Sequence, residues 1–353
     1  MRKLGLCIVV SLIYFSIFAT LSFACVGARP MAMGGAFIGV ADDASATYWN
    51  PAGLDQKVTE RDSAMGQTLD ELDGVGFTYT PTLYNRDEIN YDDFVAITTP
   101  LKFRDYDLGN LGFSYVNSGF EAEADFPADP PWPAGTEYFD RDESWFWLSY
   151  GKNIFGGFSV GANLRYQSIE DEDVYDFPGV GSLTFSDDDS LFALDVGLLY
   201  KIGRFSAGVL YQNVNEPEVE LWGVKGTYVR NLRPGVAFRP DDDTVIALDI
   251  YDAARETEDD AISVAQDIRV GLERWFDLPP ATPRWVGERL AIRLGGYHIN
   301  NNDMRAYTFG LGLKGTDWDQ EQPWFKSAEF DYTVLYWQDS SDFTHQLGLT
   351  FSF

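Results

Sequence analysis

The sequence contains few of the residues that most often do chemistry. Its 353 residues include two cysteines, Cys7 and Cys25, and two histidines, His298 and His345. So few thiols exclude a disulfide framework and a cysteine metal site. A histidine that acts as a general base needs a serine or acidic partner, and sequence spacing cannot place one beside either histidine. We therefore predict no enzymatic activity, no catalytic residues, no metal ligands and no cofactor.

Positive charge is also scarce. There are 26 lysines and arginines against 55 aspartates and glutamates, which gives a formal net charge of −29. Nucleic acid and bare anionic head groups would be repelled by such a chain. The composition therefore excludes nucleic acid as a partner.

Long apolar runs are absent except at the start of the chain. Arg2 and Lys3 precede an apolar run at 4–21, and Ser22-Phe23-Ala24 is a small-x-small cleavage site. These features predict a secretory signal peptide over residues 1–24. Cleavage near Ala24 would leave Cys25 as the first mature residue, so an acylated lipoprotein is a second reading, although Ser22-Phe23 fits its cleavage site poorly.

After residue 24 no apolar run reaches the roughly 18–20 residues of a membrane-spanning helix, so the chain is either soluble or spans a membrane as a β-barrel. Aromatic residues make up 16% of the sequence and glycines number 33, which favours β structure. Runs with period-two alternation are bounded by Gly, Pro, Asn and Asp. They predict fourteen strands, at 74–82, 91–100, 108–119, 142–152, 157–169, 190–201, 204–214, 234–239, 243–251, 266–276, 288–298, 304–314, 326–337 and 343–353.

The alternation separates apolar from polar residues on two faces of each strand, as a lipid-embedded barrel requires. In the fifth predicted strand Phe158, Val160 and Leu164 share one face, while Ser159 and Asn163 share the other. An apolar outside and a polar inside are typical of outer-membrane barrels. We predict an all-β antiparallel transmembrane barrel of about fourteen strands over 58–353, in contact with outer-membrane lipid. A soluble periplasmic β protein is the alternative.

The predicted connections support a barrel whose two ends differ. Long polar connections at 120–141, 170–189, 215–233 and 252–265 alternate with tight turns near 152–156, 201–203 and 240–242. Outer-membrane barrels have long loops outside the cell and short periplasmic turns. An even strand number returns both chain ends to the periplasm, and these features together predict the outer membrane of a Gram-negative-type cell.

The last residues alternate apolar and small or polar side chains up to the terminal Phe353. This ending resembles the C-terminal signal of outer-membrane barrels. The resemblance implies that the barrel assembly machinery recognises Phe353.

Charged residues fall into two sets. Acidic clusters at 170–173, 187–189, 241–243 and 256–260 lie in or beside predicted connections. Close carboxylates can hold calcium, but none has the glycine-containing order of a dedicated loop, so we interpret them as solvated. The second set shares predicted inward-facing positions: Arg165, Asp195, Asp249, Arg269, Glu273, Arg293 and Asp331. Its members either form ion pairs that anchor a segment inside the barrel or contact a ligand.

A tract of small residues at 27–54 follows the predicted signal peptide. We predict a short helix at 44–49, capped by Asp42 or Asp43 and ended by Asn50-Pro51. Four elements of the tract form a recognisable motif: Gly27-Ala28-Arg29, Met33-Gly34-Gly35-Ala36-Phe37, Ala41-Asp42-Asp43-Ala44 and Asn50-Pro51-Ala52-Gly53-Leu54. The motif resembles the N-terminal plug of the FadL-like outer-membrane transport proteins, and within them the PorV-like branch.

The resemblance implies that residues 25–57 form a plug inside the barrel. The candidate plug or ligand residues are Met31, Met33, Gly34, Gly35, Phe37, Trp49, Asn50, Pro51, Ala52 and Gly53. For the FadL-like family as a whole it implies passage of hydrophobic small molecules, such as long-chain fatty acids or aromatic hydrocarbons, which leave by plug movement or a lateral opening. In the PorV-like branch it implies a docking partner of a secretion or surface-attachment machine instead.

The two roles make different demands on the barrel. A docking partner would expose an apolar loop, for which 126–133, with Phe126, Trp132 and four prolines, is the candidate. Such a barrel would also have a sealed lumen. A channel needs an apolar cavity beside the plug that continues to the surface or to a gap in the wall.

Overall fold

The computed structural model describes residues 26–56, 75–83, 89–104, 106–126, 134–256, 266–283, 287–299, 304–316, 327–338 and 342–353. Its strands are β1 Gly76–Thr80, β2 Thr82–Leu83, β3 Ile89–Phe103, β4 Tyr106–Phe126, β5 Gly135–Phe155, β6 Phe158–Phe177, β7 Gly181–Ile202, β8 Phe205–Gln212, β9 Glu218–Leu221, β10 Val224–Thr227, β11 Asn231–Phe238, β12 Thr244–Tyr251, β13 Asp267–Asp277, β14 Arg289–Ile299, β15 Met304–Thr316, β16 Ser327–Trp337 and β17 Asp342–Ser352. Two short helices, α1 Ala28–Ala32 and α2 Ala46–Trp49, and a 3₁₀ helix, Pro51–Asp55, precede them. No helix among the described residues is long and apolar enough to cross a membrane.

The strands form one closed antiparallel barrel. From β3 to β17 each strand pairs with its neighbour in chain order, except that β8 pairs with β11 because β9 and β10 form a separate hairpin. The first strand closes the barrel: Gly76 in β1 pairs with Thr98 in β3 and with Ser352 in β17. Pro81 divides β1 from β2, and proline has no N–H to donate to the ladder. Counting β1 and β2 as one interrupted strand, the barrel has fourteen strands, which confirms the predicted fold.

Side chains alternate between lipid and lumen along each strand. On β7, Phe192, Leu194 and Val196 are exposed outward, whereas Ala193 and Asp195 are buried inward. A closed ladder leaves no unpaired edge, and an outward apolar band suits a bilayer. The structure is therefore a transmembrane barrel of the outer-membrane type.

Four consecutive strands are much longer than the rest. Strands β4 to β7 have 20 to 22 residues each, whereas β8, β11 and β12 have 8. About 9–11 tilted residues cross a bilayer. The surplus lies at the end away from the chain ends, so it projects from the membrane on the extracellular side. We call residues 120–126, 135–143, 169–177 and 181–189 the extracellular wall.

The wall corrects two predictions. The connections predicted at 120–141 and 170–189 are mostly strand, and the acidic runs 170–173 and 187–189 lie in β6 and β7 instead of in loops. The period-two alternation of inward and outward side chains continues through the wall, but acidic residues replace apolar ones on the outward face. An acidic run of this kind does not resemble a membrane strand.

Other connections agree more closely with the sequence. The chain turns at 156–157, 203–204 and 239–243, as predicted for the periplasmic side. The loop predicted at 215–233 contains the hairpin of β9 and β10. Residues 127–133 of the proposed docking loop and 257–265 of another predicted loop lie outside the described residues.

Candidate functional site

Residues 26–56, here called the N-terminal segment, lie inside the barrel. Helix α1 packs against β14 to β17, and the 3₁₀ helix packs against β4 to β7 on the opposite side. The segment therefore crosses the lumen from one wall to the other.

Local chemistry explains how the segment turns within that space. Asn50 precedes the 3₁₀ helix, and its side chain accepts a hydrogen bond from the Ala52 N–H. The helix predicted at 44–49 is confirmed as α2, but the predicted aspartate cap is wrong. Asp43 instead accepts from the Ser45 N–H at 2.8 Å, and the carboxylates of Asp42 and Asp43 both bind an arginine described below.

Inward polar side chains of the barrel satisfy the irregular backbone of the segment. Asp249 Oδ2 accepts from the N–H groups of Phe37 at 2.7 Å and Ile38 at 2.8 Å. Further strands donate to its carbonyls through Ser159 to Asp55, Asn163 to Thr47, Ser206 to Gly39, Thr308 to Ala32 and Thr333 to Ala28. Buried backbone polar groups need such partners. The segment is thus held from several sides.

Glycines of the barrel let its main chain approach that of the segment. A Cβ atom added to Gly161 would lie 2.3 Å from the Ala52 nitrogen, and one added to Gly208 would lie 2.3 Å from the Ile38 oxygen. The barrel glycines that meet the segment in this way include Gly151, Gly161, Gly208, Gly271 and Gly295. No side chain fits between such surfaces. The segment and the wall are complementary main chain to main chain.

The predicted apolar plug residues are all packed. Met31, Met33, Phe37 and Trp49 are at most 2% exposed. The rings of Phe37 and Trp49 meet edge to face with centroids 6.2 Å apart, and Trp49 Nε1 donates to the Val26 carbonyl at 3.1 Å. In this conformation the four residues pack the segment, so a ligand would reach them only after a rearrangement.

The polar plug residues shape the backbone. Asn50 Nδ2 donates to the carbonyls of Ile38 at 3.0 Å and Leu198 at 3.1 Å, which ties two parts of the segment to β7. A Cβ atom added to Gly53 would lie 2.0 Å from the Ala41 oxygen. Pro51 and Ala52 are buried beside it in the 3₁₀ helix.

A buried ion network centres on Arg29. Its Nε and Nη2 bind the two oxygens of Glu273 at 2.8 and 3.0 Å, and its Nη1 binds Asp42 at 2.7 Å and Asp43 at 3.0 Å. Arg293, whose side chain is fully buried, binds Glu273 at 2.6 Å. Arg293 extends the network across β13 and β16 to Glu329 and Asp331. The segment is therefore charge-paired to the wall as well as hydrogen-bonded to it.

We expect Arg29→Met to destabilise the folded barrel by about 3–5 kcal/mol, because removing one partner of a buried pair leaves an uncompensated charge. Asp42 keeps Arg239 at 3.2 Å and Glu273 keeps Arg293, so Asp43 is the carboxylate most affected. The measurement is the free energy of urea unfolding in lipid vesicles.

Arg230→Met is the matched control. Arg230 pairs with Glu216 at 3.1 Å, but both side chains are more than 40% exposed. Exposed pairs contribute about 0–1 kcal/mol. Equal losses in the two variants would show that the Arg29 network does not hold the segment.

The other predicted inward charges are buried as well, but they act elsewhere. Arg165 Nη2 donates to Asn213 Oδ1 at 2.7 Å, and Asp195 accepts from the Asn213 N–H at 3.0 Å. Arg269 lies between the rings of Tyr251 and Tyr297, at 3.9 and 4.7 Å from their centroids. These groups lie on the extracellular side of the segment.

The hairpin of β9 and β10 folds against the inner face of the extracellular wall. The Glu220 N–H donates to Asp189 at 2.6 Å, and Trp222 Nε1 donates to Asp171 at 3.0 Å. Its Val219 joins a buried apolar cluster with Ile169, Leu191 and Ala193 of β6 and β7. Inward carboxylates of the wall thus hold an inserted hairpin above the lumen.

Above the membrane the outward face of the wall is acidic, and its inward face carries aromatic as well as charged side chains. Its outward face carries nine exposed carboxylates, Glu121, Glu123, Asp125, Asp140, Asp142, Glu170, Glu172, Asp176 and Asp188. Its inward face carries six aromatic residues, Phe120, Phe126, Phe139, Tyr175, Phe177 and Phe185, here called the inner aromatic cluster. Ring centroids within the cluster are 5.7–6.3 Å apart. Aromatic side chains therefore line part of the inner face of the wall, beside buried charged groups such as Glu137 and Asp173.

Sequence reasoning missed the inner aromatic cluster because it placed most of these residues in loops. The signal was present: Phe126, Tyr175, Phe177 and Phe185 have the parity of the inward positions further down their strands. Continuing the period of two beyond the apolar band would have found them.

One cavity adjoins the segment at the periplasmic end. It has a volume of about 20 Å³ and is bordered by Arg29, Asp42, Asp43 and Ala44 of the segment. The barrel contributes Gly76, Lys314, Ser327, Glu329, Thr350 and Ser352. Such a polar space holds about one water molecule. Within the described part of the chain, no group of three or more His, Cys, Asp or Glu residues is arranged to hold a metal ion.

Known proteins were compared at the level of sequence and of structure. No protein-family model and no curated protein matches the sequence. Solved structures do. The P. putida toluene transporter TodX has a TM-score of 0.55 at 12% identity, covering 93% of this chain and 98% of that chain. A Pseudomonas aeruginosa FadL homologue has a TM-score of 0.54 at 12% identity, covering 94% and 98%.

The CymD monoaromatic hydrocarbon channel has a TM-score of 0.53 at 10% identity, and the match covers 94% of this chain and 98% of that one. The chain has the FadL-type barrel fold. Identities this low speak for the fold alone, and they do so over nearly the whole length of each protein.

Proposed function

We propose that the chain passes hydrophobic small molecules across the outer membrane. The observation that supports this proposal is the inner aromatic cluster, a group of aromatic rings on the lumen side of a wall that projects above the bilayer, in which Phe185 is 44% exposed. Burying an apolar molecule against such a surface is favourable by about 25 cal/mol per Å² of apolar area removed from water. The cluster is thus a place of capture at the mouth of the barrel.

The charge of the wall favours uncharged substrates of the aromatic hydrocarbon class over fatty acid anions. Nine exposed carboxylates cover its outward face. They repel an approaching carboxylate and leave a neutral hydrocarbon unaffected. Long-chain fatty acids remain the second substrate class of this proposal.

Of the two exit routes, we propose that passage beyond the cluster uses movement of the N-terminal segment as a plug. Its main chain meets the barrel without space for a substrate, and the cavity of about 20 Å³ beside it is too small and too polar for a hydrocarbon. Met31, Met33, Phe37 and Trp49 would become the apolar contacts of the substrate once the segment shifts.

The names of the similar structures support this proposal. They are a toluene transporter, a FadL homologue and a monoaromatic hydrocarbon channel. They give no support to the docking alternative of the PorV-like branch, and the loop on which that alternative depends lies largely outside the described residues. We further propose that Phe353 is the residue recognised by the barrel assembly machinery, because it ends the closing strand with a partly exposed aromatic ring.

We expect Phe185→Ala to lower binding and uptake of a radiolabelled aromatic hydrocarbon such as naphthalene about tenfold. Phe185 is 44% exposed on the inward face of β7, and its ring lies 6.1 Å from that of Tyr175. Losing most of an exposed aromatic contact removes on the order of 1–2 kcal/mol of ligand burial. Uptake is measured in a deletion strain complemented with each variant.

Tyr138→Ala provides the matched control. Tyr138 is also 44% exposed, but it lies on the outward face of β5. It should leave uptake unchanged. Equal effects of the two variants would count against capture by the inner face, and unchanged uptake of alkylbenzenes and long-chain fatty acids in the deletion strain itself would sink the proposed function.

A further inference from the structure

Two carboxyl groups lie buried within the inner aromatic cluster, and they share one hydrogen-bond donor. Glu137 is 7% exposed and Asp173 is 1% exposed. The Tyr175 hydroxyl lies 3.0 Å from Glu137 Oε1 and 3.0 Å from Asp173 Oδ2. A hydroxyl has one proton to donate, so it satisfies only one of the two carboxylates at a time.

The second carboxylate has no other source of compensation. Asp173 Oδ1 is buried and accepts no hydrogen bond from the described residues. Leaving a buried charged oxygen unpaired is costly, and two adjacent buried carboxylates resolve that cost by holding a proton between them. One proton on the pair supplies the missing donor and removes one of the two charges.

The described residues around the pair offer no cation to replace that proton. On β5 the nearest arginine, Arg141, is bound in bidentate fashion to Asp171 at 2.7 and 2.8 Å. On β7 the inward carboxylates Asp187 and Asp189 accept from the backbone of the hairpin. Inward residues of β4 at this height are Phe120, Ala122, Ala124 and Phe126, none of which titrates.

The pair titrates within a pH range that can be tested on the folded protein. Burial, followed by the neighbouring Glu137 carboxylate, raises the pKa of Asp173 to about 6. Burial also raises the pKa of Glu137. The pair stands in the extracellular wall, above the apolar band, so these groups meet the pH of the external medium.

We propose that Glu137 and Asp173 hold one proton between them and form a pH-sensitive switch, which releases hydrophobic ligands from the inner aromatic cluster when the proton leaves to solvent. The switch rests on the proposed function, since it regulates the surface that captures the substrate. The pair is already largely buried, and a ligand on the cluster displaces the water that remains near it. Covering two ionised carboxylates costs more than covering a pair that carries one charge.

The direction of the pH effect follows from linkage. An apolar ligand raises the pKa of the pair further, so its affinity is highest when the proton is bound and falls as the pH rises through about 6. A further shift of one pKa unit corresponds to a tenfold loss of affinity. The stability of the wall depends on pH in the same direction. Its stabilisation by the bound proton is complete below the pKa of a free carboxyl, about 3.9, and is lost as the pH rises through the raised pKa of about 6.

The test uses the full chain in lipid nanodiscs and two measurements between about pH 5 and pH 8. Infrared spectroscopy detects the C=O band of a protonated carboxyl group. Equilibrium binding of radiolabelled naphthalene, corrected with nanodiscs that contain no protein, gives the affinity. In the natural protein we expect the band to disappear and the affinity to fall about tenfold as the pH rises.

Three variants complete the design. Asp173→Asn and Glu137→Gln each place an amide donor beside one remaining carboxylate, which reproduces the charge of the protonated pair. Each should lack the titrating band and should bind naphthalene with the affinity of the acid form at every pH. Asp176→Asn, on the exposed outward face of the same strand, should behave as the natural protein does.

Each result decides between the two proposals. A missing band at about pH 5 overturns the switch, because both groups would then already be ionised. Naphthalene binding that does not depend on pH overturns the switch and leaves the proposed uptake standing. Absence of naphthalene binding at every pH overturns capture by the cluster, and the switch is then overturned with it.

Discussion

Locking the N-terminal segment to the barrel at Ala44 is expected to abolish the uptake of hydrophobic substrates. A Cβ atom at Gly76 would lie 3.7 Å from the Ala44 Cβ, which is the separation found in disulfides. The pair of substitutions is Ala44→Cys and Gly76→Cys, in a chain with Cys25→Ser. Thr98→Ala makes room for the new side chain, because Thr98 Oγ1 would lie 2.6 Å from it and makes no hydrogen bond to any described residue.

The site of the lock matters because it borders the periplasmic cavity. Ala44 and Gly76 lie on opposite sides of that space, where the segment meets the interrupted first strand. The cavity leaves space at this edge, and Arg29, Asp42 and Asp43 of the charge network border it as well.

Labelled naphthalene uptake under oxidising and reducing conditions gives the readout. We expect uptake at the background of the deletion strain when the disulfide is closed, and recovery on reduction. Each single-cysteine chain, oxidised in the same way, controls for the substitutions. Unchanged uptake with the disulfide closed would show that substrate leaves without movement of the segment at this edge, through a lateral opening instead.

The membrane part of the barrel was predictable because one physical rule governs each position in it. On the lower half of β7, Leu194, Val196 and Leu198 must meet lipid, and Asp195 must not. The alternation in the sequence therefore reports the environment directly. The same rule predicted the inward direction of Glu273 and Arg293, which the structure places in the network around Arg29.

The extracellular wall was not predictable from that rule, because water replaces lipid on its outer face. Asp140 and Glu172 occupy outward positions where lipid-facing strands carry Leu or Phe, so the strand resembles a solvated loop. The hairpin of β9 and β10 was missed for another reason. Its position depends on Asp171 and Asp189, which are distant in sequence and become its partners only when the wall has formed.

The N-terminal segment was predictable from the sequence only in part. Its motif indicated an internal element, but Asp42 and Asp43 were interpreted as local helix caps. Arg29, distant in sequence, pairs with both carboxylates, at 2.7 Å from Asp42 and 3.0 Å from Asp43, while Asp43 also accepts from the nearby Ser45 N–H. Sequence spacing contains no information about such a partner.

Gly34 provides the most demanding test of the close fit between segment and barrel. It has a φ of +64°, and a Cβ atom there would lie 2.4 Å from the Gly296 nitrogen and 2.7 Å from the Val270 oxygen. Both neighbours are backbone atoms within the β13–β14 ladder, so they cannot move aside as a side chain would. We expect Gly34→Ala to cost about 3 kcal/mol or more, from overpacking in addition to the unfavourable φ.

Gly156→Ala separates the two causes. Gly156 has a φ of +51°, close to that of Gly34, but nothing lies within 4 Å of an added Cβ atom. Its substitution should therefore cost only the conformational term of about 1 kcal/mol. The difference in urea-unfolding free energy between the two variants measures the contact itself.

A segment that cannot pack in its place should also change the ion permeability of the barrel. We expect Gly34→Ala to raise the ion conductance of the barrel in planar bilayers and Gly156→Ala to leave it at the level of the natural protein. A Gly34→Ala barrel that is as stable and as closed as the Gly156→Ala barrel would mean that the segment adjusts easily within the lumen. The fit of main chain against main chain would then present no barrier to passage, and substrate would need no more than thermal movement of the segment to cross.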